Sequence, residues 1–154
     1  HYRQDNEKSS VNNPGKVFCV FDANAEMTRF LNEERLDLKP ALDPVRAKAK
    51  FLNYRWNLYR LAPNLRGQFL ERFSAEMREE IEGGNILRAD GPFEHYGLSQ
   101  GEADEANEIA YESDLYGVRC TLEGGGKLDT FKAYLHAGGF PLVCKVIGKK
   151  VSRR

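Results

Sequence analysis

The sequence predicts a single α/β domain in three layers, with a small, mostly parallel sheet flanked by helices and a helical hairpin added to it. Three observations lead to this prediction. The continuous apolar run at 17–21 is typical of a strand buried on both faces. Strand-like runs and helix-like periodicities then alternate along the chain, which favours parallel strands with crossover helices. The length of 154 residues suits one domain.

The domain is predicted to span 16–148, between a polar, flexible N-terminal arm at 1–15 and a basic tail at 149–154. No apolar run is long enough to cross a membrane, and no secretory signal is visible. We therefore expect a cytoplasmic protein with no membrane partner. Export after removal of a signal peptide stays open, because the first residue is His1 rather than Met.

The first half of the chain begins with the predicted strand at 17–21 and a helix at 25–34. A longer helix is predicted at 45–61, because Asp43 is a common type of N-cap and Pro44 suits the first helical position. Its apolar residues recur at spacings of three and four and predict a stripe that faces the core. This stripe comprises Val45, Ala49, Leu52, Trp56 and Tyr59.

The helix at 65–82 is predicted to complete a hairpin with the one before it. Gly83 and Gly84 end it. Its own apolar stripe comprises Leu65, Phe69, Phe73, Met77 and Ile81.

The second half begins with a short candidate strand at 85–87. A helix follows at 99–112, where Ser99 and Glu102 have the spacing of a capping box. Gly117 is expected to stop this helix. Strands are predicted at 118–122 and 142–147, with a helix at 127–137 between them.

Three cysteines fall inside the apolar runs that are predicted to be strands: Cys19, Cys120 and Cys144. We expect them to be buried, reduced thiols, since cysteine without a disulfide is among the most buried residue types. A disulfide between Cys120 and Cys144 is the alternative if the protein is exported.

Three carboxylates are placed to meet at one edge of the predicted sheet. Asp22 ends the first strand, Glu123 ends the strand at 118–122, and Asp104 lies near the start of a helix. The carboxyl ends of parallel strands share one edge, where ligands bind. Carboxylates gathered there need a hard cation such as Mg²⁺ or Mn²⁺, and a pair of such ions cleaves phosphodiesters. The alternatives are a helix cap for Asp22, stabilisation of a helix N-terminus for Asp104 and a polar turn for Glu123.

The stretch Asp22-Ala23-Asn24 resembles the end of the first strand in PIN-domain nucleases, which carries Asp-x-Asn. Asp104 followed by Thr121-Leu122-Glu123 is similar to the later motifs of that family, although Glu123 stands where the family usually has Asp. The resemblance implies a parallel sheet, a divalent-metal site and cleavage of RNA. It implies that Asp22, Asp104 and Glu123 are catalytic metal ligands, supported by Asn24 and Thr121. For the further acid expected in the first half, the best candidate is Glu71, followed by Glu76.

The net charge is zero, but bases dominate 39–66 and 118–154, whereas acids dominate 71–114. This segregation indicates either an anionic partner or charged regions that face each other in the fold. One side of the helix at 45–61 is a candidate RNA-binding surface, because arginine and aromatic side chains together hold phosphates and stack on bases. The alternative is a solvated face paired with the acidic helix at 71–82. The candidate residues are Arg46, Lys50, Arg55 and Arg60, with Tyr54 among them.

Two functions are therefore predicted. The first is a divalent-metal-dependent endoribonuclease. The second is a non-catalytic protein-interaction module, such as an inhibitor, immunity or assembly protein. It is suggested by the lack of a complete catalytic motif and by the charge segregation, because complementary charges guide protein association.

Overall fold

The computed structural model describes residues 14–86, 88–89, 96–121, 134–135, 138–139 and 141–145. The predicted α/β fold is wrong for this part of the chain, which is helical and contains no β-strand. Its only strand-like feature is an isolated bridge between Arg88 and Leu98. The helices are α1 (Pro14–Val17), α2 (Cys19–Glu33), α3 (Lys39–Arg60), α4 (Pro63–Glu82), α5 (Gln100–Tyr111) and α6 (Ser113–Thr121). The predicted arm up to 13 and the tail at 149–154 lie outside the described residues.

The first predicted strand, at 17–21, is instead divided between α1 and the first turn of α2. Val17 and Phe21 are buried, while Cys19 between them is exposed, which is helical rather than extended spacing. The ring of Phe21 lies 4.5 Å from that of Tyr54 and 4.7 Å from that of Phe69. An apolar run of five residues fits a buried helical segment as well as a strand, and packing against these aromatic rings decides between them.

The later predicted strands are also wrong where they can be examined. Positions 118–121 belong to α6, and 141–145 are helical. Gly117 lies inside α6 and does not stop a helix. A Cβ at this position would lie 2.9 Å from Cδ2 of Leu70, so the glycine lets α6 approach α4 closely. Most of the predicted helix at 127–137 lies outside the described residues.

The predicted helices at 25–34, 65–82 and 99–112 are confirmed, the first of them as the C-terminal part of α2. In α4, Leu65, Phe69, Phe73 and Met77 are buried, and Gly84 follows the helix with φ of 72°. The capping box of α5 is formed: the backbone N–H of Ser99 donates to Glu102 at 2.9 Å, and that of Glu102 donates to Ser99 Oγ at 3.4 Å. The small face of α5 comprises Ala103, Ala106, Ile109 and Ala110, all of which are buried.

The α3–α4 hairpin is confirmed, but α3 differs from the prediction in its start and in its orientation. It begins at Lys39, so Asp43 and Pro44 lie within the helix rather than at its start. Most of the predicted core-facing stripe points outward, although Leu52 is partly buried and packs against the core. The buried face of α3 instead comprises Asp43, Arg46, Ala47, Lys50, Phe51, Tyr54 and Leu58.

The cysteines are less buried than predicted. Cys19 and Cys144 are exposed and Cys120 is partly buried, and none of the three forms a disulfide. Cys19 and Cys144 are exposed because the helices that replace the strands place them on an outer side, whereas Cys120 packs against the core. None of the described helices is both long and apolar enough to cross a bilayer.

Candidate functional site

The predicted metal ligands lie on different helices with separate partners. Asp22 is in the first turn of α2, its side chain is 73% exposed, and Nη2 of Arg72 lies 3.4 Å from its carboxylate. Asp104 accepts a hydrogen bond of 2.7 Å from Gln100 within α5. The amide of Asn24 donates to the carbonyl of Val20 within α2 at 2.8 Å.

The other members of the predicted site do not join them. Glu71 is exposed on α4, Glu123 lies outside the described residues, and so does the side chain of Thr121. Among the described residues, no group of three or more His, Cys, Asp and Glu side chains is positioned to hold a metal ion. The predicted site depended on strand ends that meet at a sheet edge, and helices replace those strands.

The inner face of α3 carries an ion cluster, which comprises Asp43, Arg46 and Lys50 of α3 with Glu76 and Glu80 of α4. The guanidinium of Arg46 donates two hydrogen bonds, of 2.6 and 2.7 Å, to the carboxylate of Glu80. The ammonium of Lys50 lies 2.9 Å from a carboxylate oxygen of Glu80 and 2.9 Å from one of Glu76. Asp43 accepts from Arg46 at 3.3 Å. The described residues contain no buried side-chain nitrogen or oxygen without a hydrogen-bond partner.

The cluster changes the acid–base properties of the groups around it. Burial alone would raise the pKa of Glu80, but hydrogen bonds from Arg46 and Lys50 outweigh burial and lower that pKa to about 2. Burial raises the pKa of Tyr54, and its hydrogen bond of 2.8 Å to Glu76 raises it further. Glu80 is therefore ionised and Tyr54 protonated throughout the physiological range.

The predicted RNA-binding surface is not a continuous exposed surface. Arg46 and Lys50 are 5% and 6% exposed, so the prediction that they face solvent is wrong. Arg55 is half-buried and lies 3.0 Å from Glu105 of α5. Arg60 remains exposed, stacked at 3.9 Å over the ring of Trp56. The basic residues at 46 and 50 thus pair with the acidic helix, as the alternative interpretation holds, but in the interior.

The outer face of α3 carries the apolar stripe that was predicted to face the core. Trp56, Tyr59 and Val45 are 57%, 43% and 37% exposed, Ala49 is exposed and Leu52 is half-buried. We call these five residues the outer stripe. Their spacing of four, three, four and three residues is the heptad spacing of a seam between paired helices.

A polar network from α5 and α6 borders the outer stripe near its C-terminal end. The hydroxyl of Tyr116 donates to Glu105 at 2.5 Å and lies 3.1 Å from the hydroxyl of Tyr59. The hydroxyl of Tyr59 also donates to Glu105 at 3.3 Å. A depression of about 480 Å³ lies here, and its lining comprises Leu52, Arg55, Trp56, Tyr59 and Glu105. The large side chains at this end are thus partly fixed in place.

A second concave region of about 650 Å³ lies between α4 and α6, with Glu71 at its border. Arg78 donates to the carbonyl of Ala110 at 2.9 Å, and Arg66 donates to the carbonyl of Leu61 at 2.9 Å. Both arginines therefore cap helix C-termini, where a cation is favourable. They are the cations among the described lining residues of this region, and each uses part of its guanidinium for this capping.

The sequence contained a signal for the ion cluster that apolar periodicity missed. Arg46 and Lys50 are four residues apart on α3, and Glu76 and Glu80 are four residues apart on α4. Side chains at that spacing share one helix face. Two oppositely charged pairs in the two arms of one hairpin are therefore placed to meet.

The chain matches no protein-family model, and no curated protein and no solved structure is significantly similar to it. The function must therefore be inferred from the fold and the surfaces of the molecule.

Proposed function

We propose that this protein is a non-catalytic interaction module that binds a helix of a protein partner through the outer stripe of α3. The observation that carries the proposal is the exposure of Val45, Trp56 and Tyr59 on one face of a regular helix. Monomeric soluble proteins rarely expose large contiguous apolar patches, and where they do the patch commonly marks an interaction site. Tryptophan and tyrosine are also the residues that most often dominate binding energy at interfaces.

The shape of the stripe indicates what kind of partner it fits. From Val45 to Tyr59 it follows α3 for about 21 Å, at 1.5 Å per residue. Its period of 3.5 residues matches that of a helix packed nearly parallel or antiparallel to α3. A partner that presents an apolar helix face therefore fits better than an extended peptide, which places side chains with a period of two.

Burial of apolar surface, rather than the attraction between charges that the sequence indicates, is expected to drive binding. Arg46 and Lys50 of α3 meet Glu80 of α4 inside the hairpin. These buried charges are not available to attract a partner, and the stripe itself consists of uncharged side chains. Binding through the outer stripe is therefore apolar, and we expect its affinity to change little with salt.

The predicted cleavage of RNA with Mg²⁺ or Mn²⁺ stays a prediction. It was based on carboxylates gathered at a sheet edge, and the described residues provide no sheet to gather them. The interaction proposal has a surface that is present in the fold and is therefore the better supported of the two.

The test compares Trp56→Glu with Met27→Glu, because both replace an exposed apolar side chain, one inside the stripe and one on α2. Tagged wild type and both variants are expressed in the native host, cross-linked and purified under one protocol. We expect a cross-linked complex, containing either another protein or further copies of the chain, with wild type and Met27→Glu, and its loss with Trp56→Glu. Circular dichroism serves to check that both variants are folded. An identical set of complexes for all three proteins would contradict the proposal.

A further inference from the structure

We infer that the partner of the outer stripe is a second copy of this chain, with the two α3 helices packed antiparallel around a two-fold axis at Leu52. This inference rests on the proposed function, since it identifies the occupant of the same surface. In such a symmetric interface one patch must fit itself, so every residue faces the residue that the symmetry assigns to it.

The sizes of the stripe residues fit this symmetry. Val45 and Tyr59 lie seven residues on either side of Leu52, and Ala49 and Trp56 lie three and four residues from it. In an antiparallel pair, Trp56 of each copy therefore faces Ala49 of the other, and Tyr59 faces Val45. On both sides of the central Leu52, which faces itself, large side chains meet small ones, as close packing requires.

A parallel pair of α3 helices does not match large side chains with small ones. It would place Trp56 against Trp56 and Ala49 against Ala49, so that one end of the seam is overfilled and the other has a gap. Both overpacking and cavities weaken an interface. The distribution of sizes along the stripe therefore selects the antiparallel orientation.

The charges beside the stripe permit the approach of two copies. Lys48 and Arg55 lie along one border, where like charges from two copies would repel each other. Arg55, however, lies 3.0 Å from Glu105 and 3.8 Å from Glu102. Although burial raises the pKa of Glu102, hydrogen bonds from Ser99 and the nearby cations Arg55 and Lys48 lower it overall. Two carboxylates thus balance the two cations of this border on each copy, while Arg60, stacked over Trp56, is a further exposed cation at the C-terminal end of the stripe.

The size of the contact sets the expected strength. A seam of about four helical turns lies at the small end of protein interfaces, where complexes are transient. We therefore expect a monomer–dimer equilibrium that depends on protein concentration. Sedimentation velocity of the untagged chain over about a hundredfold range of concentration measures it directly.

Charge substitutions at two facing positions test the register and the orientation. Ala49→Glu alone and Trp56→Lys alone each place an unpaired charge in the apolar seam, and we expect each to weaken dimerisation at least about tenfold. The double variant places the new carboxylate at position 49 of each copy opposite the new ammonium at position 56 of the other. It should therefore recover dimerisation relative to either single variant. Met27→Glu is the matched control and should dimerise like wild type.

Several outcomes would overturn the inference. One is a wild type that is monomeric over the whole range, and another is a dimer that Ala49→Glu leaves unchanged. A double variant weaker than both single variants would indicate parallel helices, since it would bring like charges together at both positions. If the wild type is monomeric but Trp56→Glu still removes a complex with another protein in the host, this inference fails while the proposed function stands. If Trp56→Glu removes nothing, both fail.

Discussion

The two faces of α3 depart in part from the usual arrangement of a surface helix, because charged side chains are buried on one and aromatic ones exposed on the other, although Phe51, Tyr54 and Leu58 are buried as expected. Its inner face carries Arg46 and Lys50, which are almost fully buried, and its outer face carries Trp56 and Tyr59, which are about half exposed. Most helices in soluble proteins bury their apolar stripe and leave charges in solvent. The difference shows that a helix is oriented by what its neighbour presents, and α4 presents the two carboxylates of the ion cluster.

The ion cluster explains why α3 does not turn its outer stripe inward. Such a rotation would bury Trp56, but it would also leave Glu80 on α4 without Arg46 and Lys50. An uncompensated buried charge is strongly unfavourable, more so than the exposure of a few apolar side chains. The paired cluster and the buried side chains of Phe51, Tyr54 and Leu58 together fix the rotation of α3, and the outer stripe is exposed as a consequence.

The largest expected difference between the two faces is in how much stability is lost when an arginine is replaced. Arg46→Met breaks a buried pair and leaves Glu80 with fewer partners, so we expect it to lower the free energy of unfolding by about 3–5 kcal/mol. Arg60→Met removes an exposed arginine from the same helix, and we expect a change below about 1 kcal/mol. Urea unfolding followed by circular dichroism measures both. Equal losses in the two variants would contradict the assignment of the inner face.

The ion cluster should also make stability depend on pH. The pKa of Glu80 falls from an ordinary 4.5 to about 2 on folding. A lowered pKa of an acid stabilises the folded state above the unfolded value, and this stabilisation is lost as the pH falls from about 5 through about 2. The shift corresponds to roughly 3 kcal/mol. In Glu80→Gln the stability should be lower at neutral pH and should change less over this window. If the stabilities of wild type and Glu80→Gln changed with pH in parallel, the stabilising role of the ion cluster would be contradicted.

The smallest expected effects come from enlarging an alanine on each face. Ala47 is completely buried, so Ala47→Leu overfills the core, and we expect a loss of about 1–3 kcal/mol. Ala49 is exposed, and we expect Ala49→Leu to change the stability of the monomer by less than about 0.5 kcal/mol. Thermal unfolding at low protein concentration compares them. A larger loss of stability for Ala49→Leu than for Ala47→Leu would mean that the core lies on the outer side of α3, which would contradict the structure.

Local signals were sufficient for part of the fold. The stripe of α4, from Leu65 to Met77, and the capping box of Ser99 and Glu102 predicted two helices that the structure contains. In these helices the apolar periodicity and the end signals point to the same element. Where local signals agree with each other, a helix is predicted well without its neighbours.

The rest depended on contacts between distant segments. The run at 17–21 is too short to distinguish strand from helix, and the rings of Tyr54 and Phe69 decide the matter from elsewhere in the chain. The inner face of α3 depends on Glu80, which is 34 residues from Arg46. The apolar period of α3 was identified correctly, but its direction relative to the core was not.

The error in the fold carried over to the candidate site. Asp22 and Asp104 were brought together only by the assumption of parallel strands, and their helices give each a separate partner. The outer stripe was identified residue by residue, yet it was interpreted as core. Its function as a surface could be inferred only when the exposure of its residues was known.

The most direct test of the two-faced α3 uses the only tryptophan in the chain, Trp56. Its fluorescence reports on the outer stripe without any substitution. In dilute solution, where the monomer dominates, we predict long-wavelength emission and efficient quenching by acrylamide, because the side chain is 57% exposed. At high protein concentration the quenching should decrease as the stripe is covered. A folded, dilute protein whose tryptophan emits at short wavelength and resists quenching would contradict the account, because Trp56 would then lie in the core.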